Sequence, residues 1–182
     1  MGFPKIFRKL YFLRRFSSAR IPTRVGEFTA HSYRNNFKNE GNIALVLGDV
    51  TDIDTPLVRV HSECLTGDLI GSLRCDCGSQ LQVSLEMIGE EGVGILIYLR
   101  GHEGRGIGLG KKLRAYNLQD QGMDTVDANL EQGLPVDSRD YYFAAEILQD
   151  LGVSKIRLLT NNPKKKSELE DEGIDVVSRV PL

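Results

Sequence analysis

The segment GVGILIYLR, residues 92–100, constrains the fold more than any other stretch of this sequence. It is an almost continuous apolar run of strand length, which is typical of a β-strand that is buried on both faces. A glycine-rich turn follows the run, and the next segment, KKLRAYNLQDQG (111–122), has a helix-like pattern that stops at Gly122. A buried strand followed by a helix predicts a sheet with helices packed against it.

The same alternation extends along most of the chain. Runs of β-branched and apolar residues predict extended segments, whereas apolar residues spaced three or four positions apart predict helices. The predicted strands are 27–34, 43–50, 57–63, 92–100, 155–160 and 175–180, and the predicted helices are 81–91, 111–122, 139–152 and 166–173. We therefore expect an α/β (α+β) fold, a mixed β-sheet with helices packed on it, in which this pattern leaves the strand order open.

Composition limits the function. The chain has 182 residues, of which 41% are apolar and 26% charged, and its formal net charge is −2. These values predict one globular, water-soluble domain and argue against a protein that coats nucleic acid or binds a membrane surface. No apolar run approaches the ~20 residues that cross a bilayer, and the N-terminus lacks the apolar region of a secretory signal. We expect a cytoplasmic protein without nucleic-acid or membrane partners.

The N-terminal segment differs from the rest in composition. Residues 1–24 carry seven basic side chains and no acidic one. One interpretation is an organelle-targeting segment or a contact for an anionic surface. The other, which composition favours, is a basic leader that frays in solution. We therefore predict a flexible leader at residues 1–20 and a single domain at residues 21–182.

All three cysteines of the chain lie within fourteen residues. Cys64, Cys75 and Cys77 have the spacing C-x10-C-x-C, and polar residues flank the last two. A structural zinc site usually has four protein ligands, whereas a catalytic site has three and leaves one position for water, whose pKa falls to ~7. The spacing therefore favours a catalytic metal site, with three inert, buried thiols as the alternative.

His61 is a further candidate ligand for a metal. The sequence H-S-E at 61–63 matches the H-x-E element of zinc deaminases, but the P-C-x-x-C element that those enzymes require is absent. An ordinary histidine at the end of a strand is an equally good interpretation of His61.

Two loops have the composition of anion-binding sites. RGHEGRGIGLGKK (100–112) follows the buried strand, and TNNPKKK (160–166) overlaps the end of the last but one predicted strand. Backbone N–H groups at a helix N-terminus suit a phosphate group, as do basic side chains such as Arg105 and Lys112. The first loop fits neither Walker A nor G-x-G-x-x-G, so a tight structural turn stays the alternative. Two such loops in one small domain favour a polyphosphate substrate.

Five segments together resemble GTP cyclohydrolase II, the enzyme that starts riboflavin synthesis. They are RVHSECLTGD (59–68), SLRCDCGSQL (72–81), RGHEGRGIGL (100–109), LRAYNLQDQGMDTVDAN (113–129) and LLTNNPKK (158–165). The likeness runs in one collinear order from about Ile21 to Leu182. It implies the fold of that family, a homodimer, one Zn²⁺ per subunit on Cys64, Cys75 and Cys77, and Mg²⁺ with the triphosphate. Because family members continue in an Asn-rich tail, we expect the family's C-terminal tail to be absent here.

The resemblance also implies a reaction and the residues that carry it. Water activated by zinc would attack C8 of the guanine ring of GTP and release formate. Pyrophosphate would also leave, which gives a diaminopyrimidinone ribosylamino 5′-phosphate. The residues that match the family's GTP-binding positions are Arg59, Val60, His61, Ser62, Glu63, Gln80, Glu103, Gly104, Arg105, Thr125, Thr160 and Lys165. Asp137 matches the proton acceptor, Arg139 the nucleophile toward the α-phosphorus, and Tyr116 the tyrosine that assists the zinc-bound water.

Physical chemistry leaves a second interpretation of Arg139 open. A guanidinium group stays protonated, with a pKa above ~12, so electrostatic stabilisation of a phosphate explains an essential arginine equally well. Two other functions compete with the family's reaction. One is a zinc-dependent base deaminase, and the other is a degenerate paralogue that binds GTP without turning it over.

Overall fold

A computed structural model describes residues 13–35, 41–124, 127, 130–135 and 137–182. The strands are β1 (Leu13–Thr23), β2 (Gly26–Asn35), β3 (Asn42–Leu47), β4 (Leu57–Ser62), β5 (Gly94–Leu99), β6 (Lys155–Leu159) and β7 (Asp175–Val180). The helices used below are α1 (Leu65–Asp68), α2 (Cys77–Glu91), α3 (Leu109–Asp120), α4 (Tyr142–Asp150) and α5 (Pro163–Asp171), and a 3-10 helix spans Glu103–Gly106. The strands form one mixed sheet in the order β1-β2-β3-β5-β4-β6-β7, which confirms the predicted fold class.

The sheet has a parallel half and an antiparallel half. Strands β5, β4, β6 and β7 run parallel, whereas β1, β2 and β3 pair antiparallel and β3 joins β5 antiparallel. Because parallel strands direct their carboxyl ends to the same edge of a sheet, the loops after β4, β5 and β6 lie at one edge. These loops carry the cysteines and both predicted anion-binding sequences.

Strand β5 is buried on both faces, as its apolar sequence predicts. Ile95 and Ile97 belong to a core that also contains Leu148 of α4. Leu96, between them, packs in a second core with Ile88 of α2. Side chains alternate between the two faces of a strand, so one short strand supports a helical layer on each side of the sheet.

Part of the segment predicted as an N-terminal leader lies in a strand. Residues 13–20 lie in β1, which pairs with β2 over its length. Almost all side chains of β1 are exposed, so backbone hydrogen bonds hold the strand and no apolar alternation marks it in the sequence. Arg15 also binds Asp150 of α4, with 2.7 Å between Nη2 and Oδ2. Residues 1–12 of the predicted leader lie outside the described residues.

Two helices begin earlier than the apolar pattern predicts. Helix α2 begins at Cys77 rather than at residue 81, and α5 begins at Pro163 rather than at residue 166. In α5 the side chain of Asn162 accepts the N–H of Lys164 at 3.0 Å, and proline suits the first helical position.

None of the helices in the described part of the chain is long and apolar enough to cross a membrane.

Candidate metal and nucleotide site

Three thiol groups meet at the carboxyl end of β4. Cys64 lies just after the strand, Cys75 lies in the loop after α1, and Cys77 is the first residue of α2. Their sulfur atoms lie within 4.8 Å of one another, and those of Cys64 and Cys75 are 3.6 Å apart. Three sulfur atoms on one tetrahedral zinc ion, at Zn–S distances near 2.3 Å, are about 3.8 Å apart. The predicted trio therefore fits a metal ion of that size.

The backbone of α1 packs directly against the sulfur atoms. A Cβ atom added to Gly67 would lie 2.8 Å from Cys75 Sγ and 3.2 Å from Cys64 Sγ, so a larger residue would displace the thiols. Burial raises the pKa of Cys77, and so does the neighbouring Cys64, because thiolates close together repel one another. A bound cation relieves that repulsion. Across the ranges that the structure describes, no other group of three His, Cys, Asp or Glu side chains lies this close together.

A carboxylate, rather than the cysteine cluster, holds His61. The Nε2 atom of His61 is 2.9 Å from Asp68 Oδ1, and its ring stacks on Tyr98. The other carboxylate oxygen of Asp68 accepts the N–H of Cys64 (2.9 Å) and the hydroxyl of Tyr98 (2.8 Å). Burial lowers the pKa of His61 although Asp68 opposes that effect, so the neutral ring is favoured near pH 7. The structure therefore favours a strand-end histidine over a metal ligand.

A buried lysine on α3 contacts the first cysteine. The Nζ atom of Lys112 lies 3.0 Å from Cys64 Sγ, 2.8 Å from Thr66 Oγ1 and 2.6 Å from Glu103 Oε1. The second carboxylate oxygen of Glu103 accepts the N–H of Leu65 at 2.7 Å. Burial lowers the pKa of Lys112, but the hydrogen bonds to Glu103 and Cys64 outweigh it and raise that pKa above its usual range. Burial raises the pKa of Cys64, but the hydrogen bond from Lys112 helps to bring it below its usual value, which favours the thiolate.

Two cavities adjoin at the cysteines. The cationic cavity, of about 310 Å³, is lined by Arg59, His61, Ser62, Cys77, Gln80, Arg139, Thr160, Asn161, Asn162 and Lys165. The thiol cavity, of about 400 Å³, has a lining that includes Glu63, Cys64, Cys75, Asp76, Gly104, Arg105, Lys112 and Tyr116. Because Ser62, Cys77, Gln80 and Arg139 line both cavities, the two form one continuous site.

The cationic cavity concentrates positive charge. Arg59 donates from Nη2 to Gln80 Oε1 at 2.9 Å, and Lys165 donates to the carbonyl oxygen of Val60 at 2.7 Å. Burial, followed by the charges of Arg59 and Arg139, lowers the pKa of Lys165 well below its usual value. Burial also lowers the pKa of Arg59 to about 10. An anion stabilises buried cations that repel one another, so this cavity suits phosphate groups.

Asp137 and Arg139 form a two-point ion pair beside both cavities. The carboxylate of Asp137 accepts Arg139 Nε at 2.9 Å and Nη2 at 2.5 Å. Burial raises the pKa of Asp137, but the hydrogen bonds from Arg139 outweigh it and lower that pKa. Burial lowers the pKa of Arg139, and Asp137 outweighs that effect and raises it. Both groups are therefore ionised near neutral pH, with the guanidinium plane oriented by the carboxylate.

The glycine-rich turn has a strained backbone where it meets the Asp137 loop. Gly104 and Arg105 have φ angles of 59° and 61°, and Arg105 is the one non-glycine residue with positive φ in the described ranges. This conformation costs an L-residue roughly 1–2 kcal/mol. The carbonyl oxygen of Arg105 accepts the N–H of Ser138 at 3.0 Å. The strain therefore lies where two loops of the candidate site contact each other, as is common at functional sites.

Arg74 joins the cysteine loop to α3. Its guanidinium carbon lies 4.8 Å from the centre of the Tyr116 ring, and its Nη1 donates to the carbonyl oxygen of Tyr116 at 3.3 Å. Arg74 also forms an ion pair with Asp120. Tyr116 lines the thiol cavity, so this clamp fixes the predicted catalytic tyrosine relative to Cys75.

The structure brings most predicted site residues to the two cavities. Arg59, His61, Thr160 and Lys165 line the cationic cavity, Glu63, Gly104, Arg105 and Tyr116 line the thiol cavity, and Ser62, Gln80 and Arg139 line both. Three others line neither cavity: Val60 belongs to the core, Glu103 is buried against Lys112, and Asp137 is joined to the cavities through Arg139. Thr125 lies outside the described residues.

Sequence reasoning missed Asp68 and misplaced Lys112. Asp68 stands in the segment RVHSECLTGD, whose resemblance to the family was the only available signal for it. Lys112 was expected beside a phosphate group, yet it binds Cys64, which is 48 positions away in the chain. Only the packing of α3 near the end of β4 brings these two residues together.

Known proteins with similar sequences identify the family. The family model described as GTP cyclohydrolase II matches residues 14–181. The riboflavin biosynthesis protein RibBA of Rhodococcus jostii is 58% identical over 174 residues, which cover 93% of this chain and 42% of that protein. The chloroplastic riboflavin biosynthesis proteins RIBA 1 (bifunctional) and RIBA 3 (monofunctional) of Arabidopsis thaliana are 59% and 56% identical over 170 residues. These regions cover 93% of this chain and 31% and 33% of those proteins, so the chain spans less than half of each relative's length.

A solved structure shares the fold, and the family model covers the site. The crystal structure of RibBX, a two domain 3,4-dihydroxy-2-butanone 4-phosphate synthase from A. baumannii, matches with a TM-score of 0.55 at 22% identity. The match covers 93% of this chain and 40% of that one, and at this identity it shows the fold alone. The family model, in contrast, includes all three cysteines and every residue that lines the two cavities. The resemblance seen in the sequence is thereby confirmed, and this chain belongs to the GTP cyclohydrolase II family.

Proposed function

We propose that this chain is a zinc-dependent GTP cyclohydrolase II. It would convert GTP to formate, pyrophosphate and a diaminopyrimidinone ribosylamino 5′-phosphate, the first step of riboflavin synthesis. The observation that carries the proposal is the continuity of the thiol cavity with the cationic cavity. A metal ion on three thiolates suits hydrolysis of the purine ring, and the adjoining arginine and lysine side chains suit the triphosphate.

At the thiol cavity, Cys64, Cys75 and Cys77 would hold one Zn²⁺ per subunit. When bound, zinc on three thiolates supplies a water molecule of lowered pKa for hydrolysis at C8. Tyr116 would bind the reacting oxygen through its hydroxyl group, because its side chain lines this cavity. Glu63 accepts the N–H of Gly101 at 2.8 Å, which fixes its carboxylate at the cavity wall to orient the purine.

At the cationic cavity, Arg59, Thr160 and Lys165 would bind the triphosphate. Arg59 and Lys165 are buried cations, and Thr160 follows β6 at the same edge of the sheet. Since a triphosphate carries more negative charge than these two cations and Arg139 neutralise, we expect Mg²⁺ to accompany it. His61, Ser62 and Gln80 would contact the part of the nucleotide that lies between the ring and the phosphates.

For Arg139, the geometry supports a phosphate clamp rather than a covalent nucleophile. Two hydrogen bonds to Asp137 orient its guanidinium group and favour the protonated form, which has no lone pair for attack. The lowered pKa of Asp137 makes that carboxylate a weak proton acceptor. We therefore propose that Asp137 holds Arg139 in place and that Arg139 stabilises charge on the α-phosphate as pyrophosphate leaves.

We also infer a cytoplasmic homodimer whose cyclohydrolase domain includes β1. Leu69, Ile70 and Leu73, in the loop between α1 and Cys75, are 78%, 67% and 101% exposed. Exposed apolar clusters of this kind are commonly covered in an oligomer.

Three thiols gathered for a metal suit a reducing compartment, and the plant relatives are named chloroplastic proteins.

The proposal is tested by incubating zinc-loaded protein with GTP and Mg²⁺. We expect one formate and one pyrophosphate for each GTP consumed, and a pyrimidine product of the corresponding mass. Protein stripped of metal by a chelator is the control, and it should release no formate. Ammonia without formate would indicate a deaminase, and binding of GTP without any product would indicate a degenerate paralogue. Either result would reject the proposal.

A further inference from the structure

Lys112 is a buried cation whose bonding capacity is fully used beside the metal site. Only 8% of the residue is exposed, which is rare for lysine unless its charge is paired. An ammonium group has three N–H donors, and the three acceptors around it are Cys64 Sγ, Thr66 Oγ1 and Glu103 Oε1. The residue is therefore fixed in position at a sulfur atom rather than free to reach a phosphate group.

The Lys112–Glu103 ion pair directs its positive end at the thiolate. Glu103 also accepts the N–H of Leu65 with its second carboxylate oxygen, and it does not line either of the two cavities described above. Three thiolates carry one more negative charge than a divalent metal ion neutralises. A cation 3.0 Å from one of them offsets part of that excess.

A lysine that served only to hold α3 in place would need Glu103 alone. The contact with Cys64 goes beyond that need, because sulfur is a weak acceptor unless it is a thiolate. Thr66 adds a further constraint from α1, the short helix that begins directly after Cys64. Thr66 in α1 and Glu103 in the 3-10 helix thus hold the ammonium group against the sulfur atom of Cys64.

We propose that Lys112 is a positioning residue of the metal centre, which donates a hydrogen bond to the Cys64 thiolate while Glu103 and Thr66 fix its ammonium group. This inference rests on the metal site of the proposed function. Outer partners of metal ligands commonly change metal affinity or activity by 10–100-fold when they are altered. The hydrogen bond draws electron density from the sulfur, so it limits charge donation to the metal and keeps the metal a strong Lewis acid. Glu103, in turn, acts through Lys112 rather than by contact with GTP.

The test uses the Co²⁺-substituted protein, in which thiolate-to-metal charge transfer absorbs in the near ultraviolet. Lys112→Met should shift this band to longer wavelength, because a thiolate without its hydrogen bond donates electrons more easily. Lys111→Met is the matched control, since Lys111 is the exposed neighbour on the same helix, and its band should equal that of the wild type. In the zinc enzyme, Lys112→Met should lower kcat for formate release by roughly 10–100-fold and leave KM for GTP unchanged.

A second variant separates the hydrogen bond from a general loss of structure. Lys112→Met leaves Glu103 buried without its cation, so the double variant Lys112→Met/Glu103→Gln removes that unpaired charge. We expect the double variant to fold as the wild type does and to keep the shifted band. If the charge-transfer band of Lys112→Met or of the double variant lay at the wild-type wavelength, at full Co²⁺ occupancy, the proposal would be overturned. Failure of the wild type itself to bind Co²⁺ would reject the metal site, and with it the proposed function.

Discussion

The thiol cavity and the cationic cavity differ in the groups that line them. In the thiol cavity, three sulfur atoms lie with Glu63 and Asp76, and a single buried lysine contacts one sulfur. In the cationic cavity, Arg59 and Lys165 donate to amide and carbonyl oxygens rather than to carboxylates. The first region is therefore completed by a cation and the second by an anion. Under the proposed function, a nucleotide that spans both would bind with its phosphates away from the thiols.

Loss of a thiol should produce the largest effect and should be confined to the thiol cavity. Cys75→Ser removes one of three ligands, and the metal-activated water with it, so formate release should fall by roughly 10³-fold or more. The affinity for GTP should change little, because the cations of the other cavity remain. Formate production and equilibrium binding of GTP, measured on the same preparation with its zinc content, check both expectations. A parallel loss of GTP binding would show that the two cavities do not have separate roles.

Arg139→Lys should produce a smaller effect, because this change keeps the charge and removes the planar fork. One hydrogen bond to a charged group contributes about 1.5–3 kcal/mol, so pyrophosphate release should fall by roughly 10–100-fold. Phosphate measurement after pyrophosphatase treatment gives the rate. Complete loss of pyrophosphate release, together with a covalent adduct trapped on Arg139 of the wild type, would contradict the clamp.

The Asp137–Arg139 pair should also stabilise the fold in a pH-dependent manner. The folded-state pKa of Asp137 lies below its ordinary value of 3.8, so the pair contributes stability above that pH and loses it as the pH falls through the folded value. Asp137→Asn should therefore lower the free energy of unfolding by about 1 kcal/mol at pH 7. The difference from the wild type should be constant down to about pH 5 and should narrow below 3.8. Urea denaturation across this range measures it, and a difference independent of pH would show that the charge is not the cause.

Arg74→Met should have the smallest effect of the four. The change removes a stacked, partly exposed cation from Tyr116, an interaction of about 0.5–1 kcal/mol. We expect kcat for formate release to fall by roughly two- to fivefold and KM for GTP to stay the same. Steady-state kinetics with zinc-loaded protein distinguishes these quantities. A decrease as large as that of Cys75→Ser would mean that the Arg74 clamp is needed for the metal ligands themselves.

Much of the parallel half of the fold could be predicted from the sequence. Apolar runs such as 92–100 mark buried strands because burial on both faces leaves no polar position in the pattern. Strand β1 could not be predicted in this way, since its side chains are exposed and its stability comes from pairing with β2. Its basic composition indicated a frayed leader, whereas Arg15 in fact binds Asp150 of α4.

The sequence by itself indicated three cysteines as candidate metal ligands, the family, and two loops suited to anions, because each is a local pattern of residue types. Only the tertiary structure decided what lies next to what. It placed His61 on Asp68 rather than at the thiols, and it placed Lys112 on Cys64 rather than at a phosphate. Both contacts form between separate elements that meet at the carboxyl edge of the sheet, and the distances between such elements depend on packing rather than on spacing along the chain.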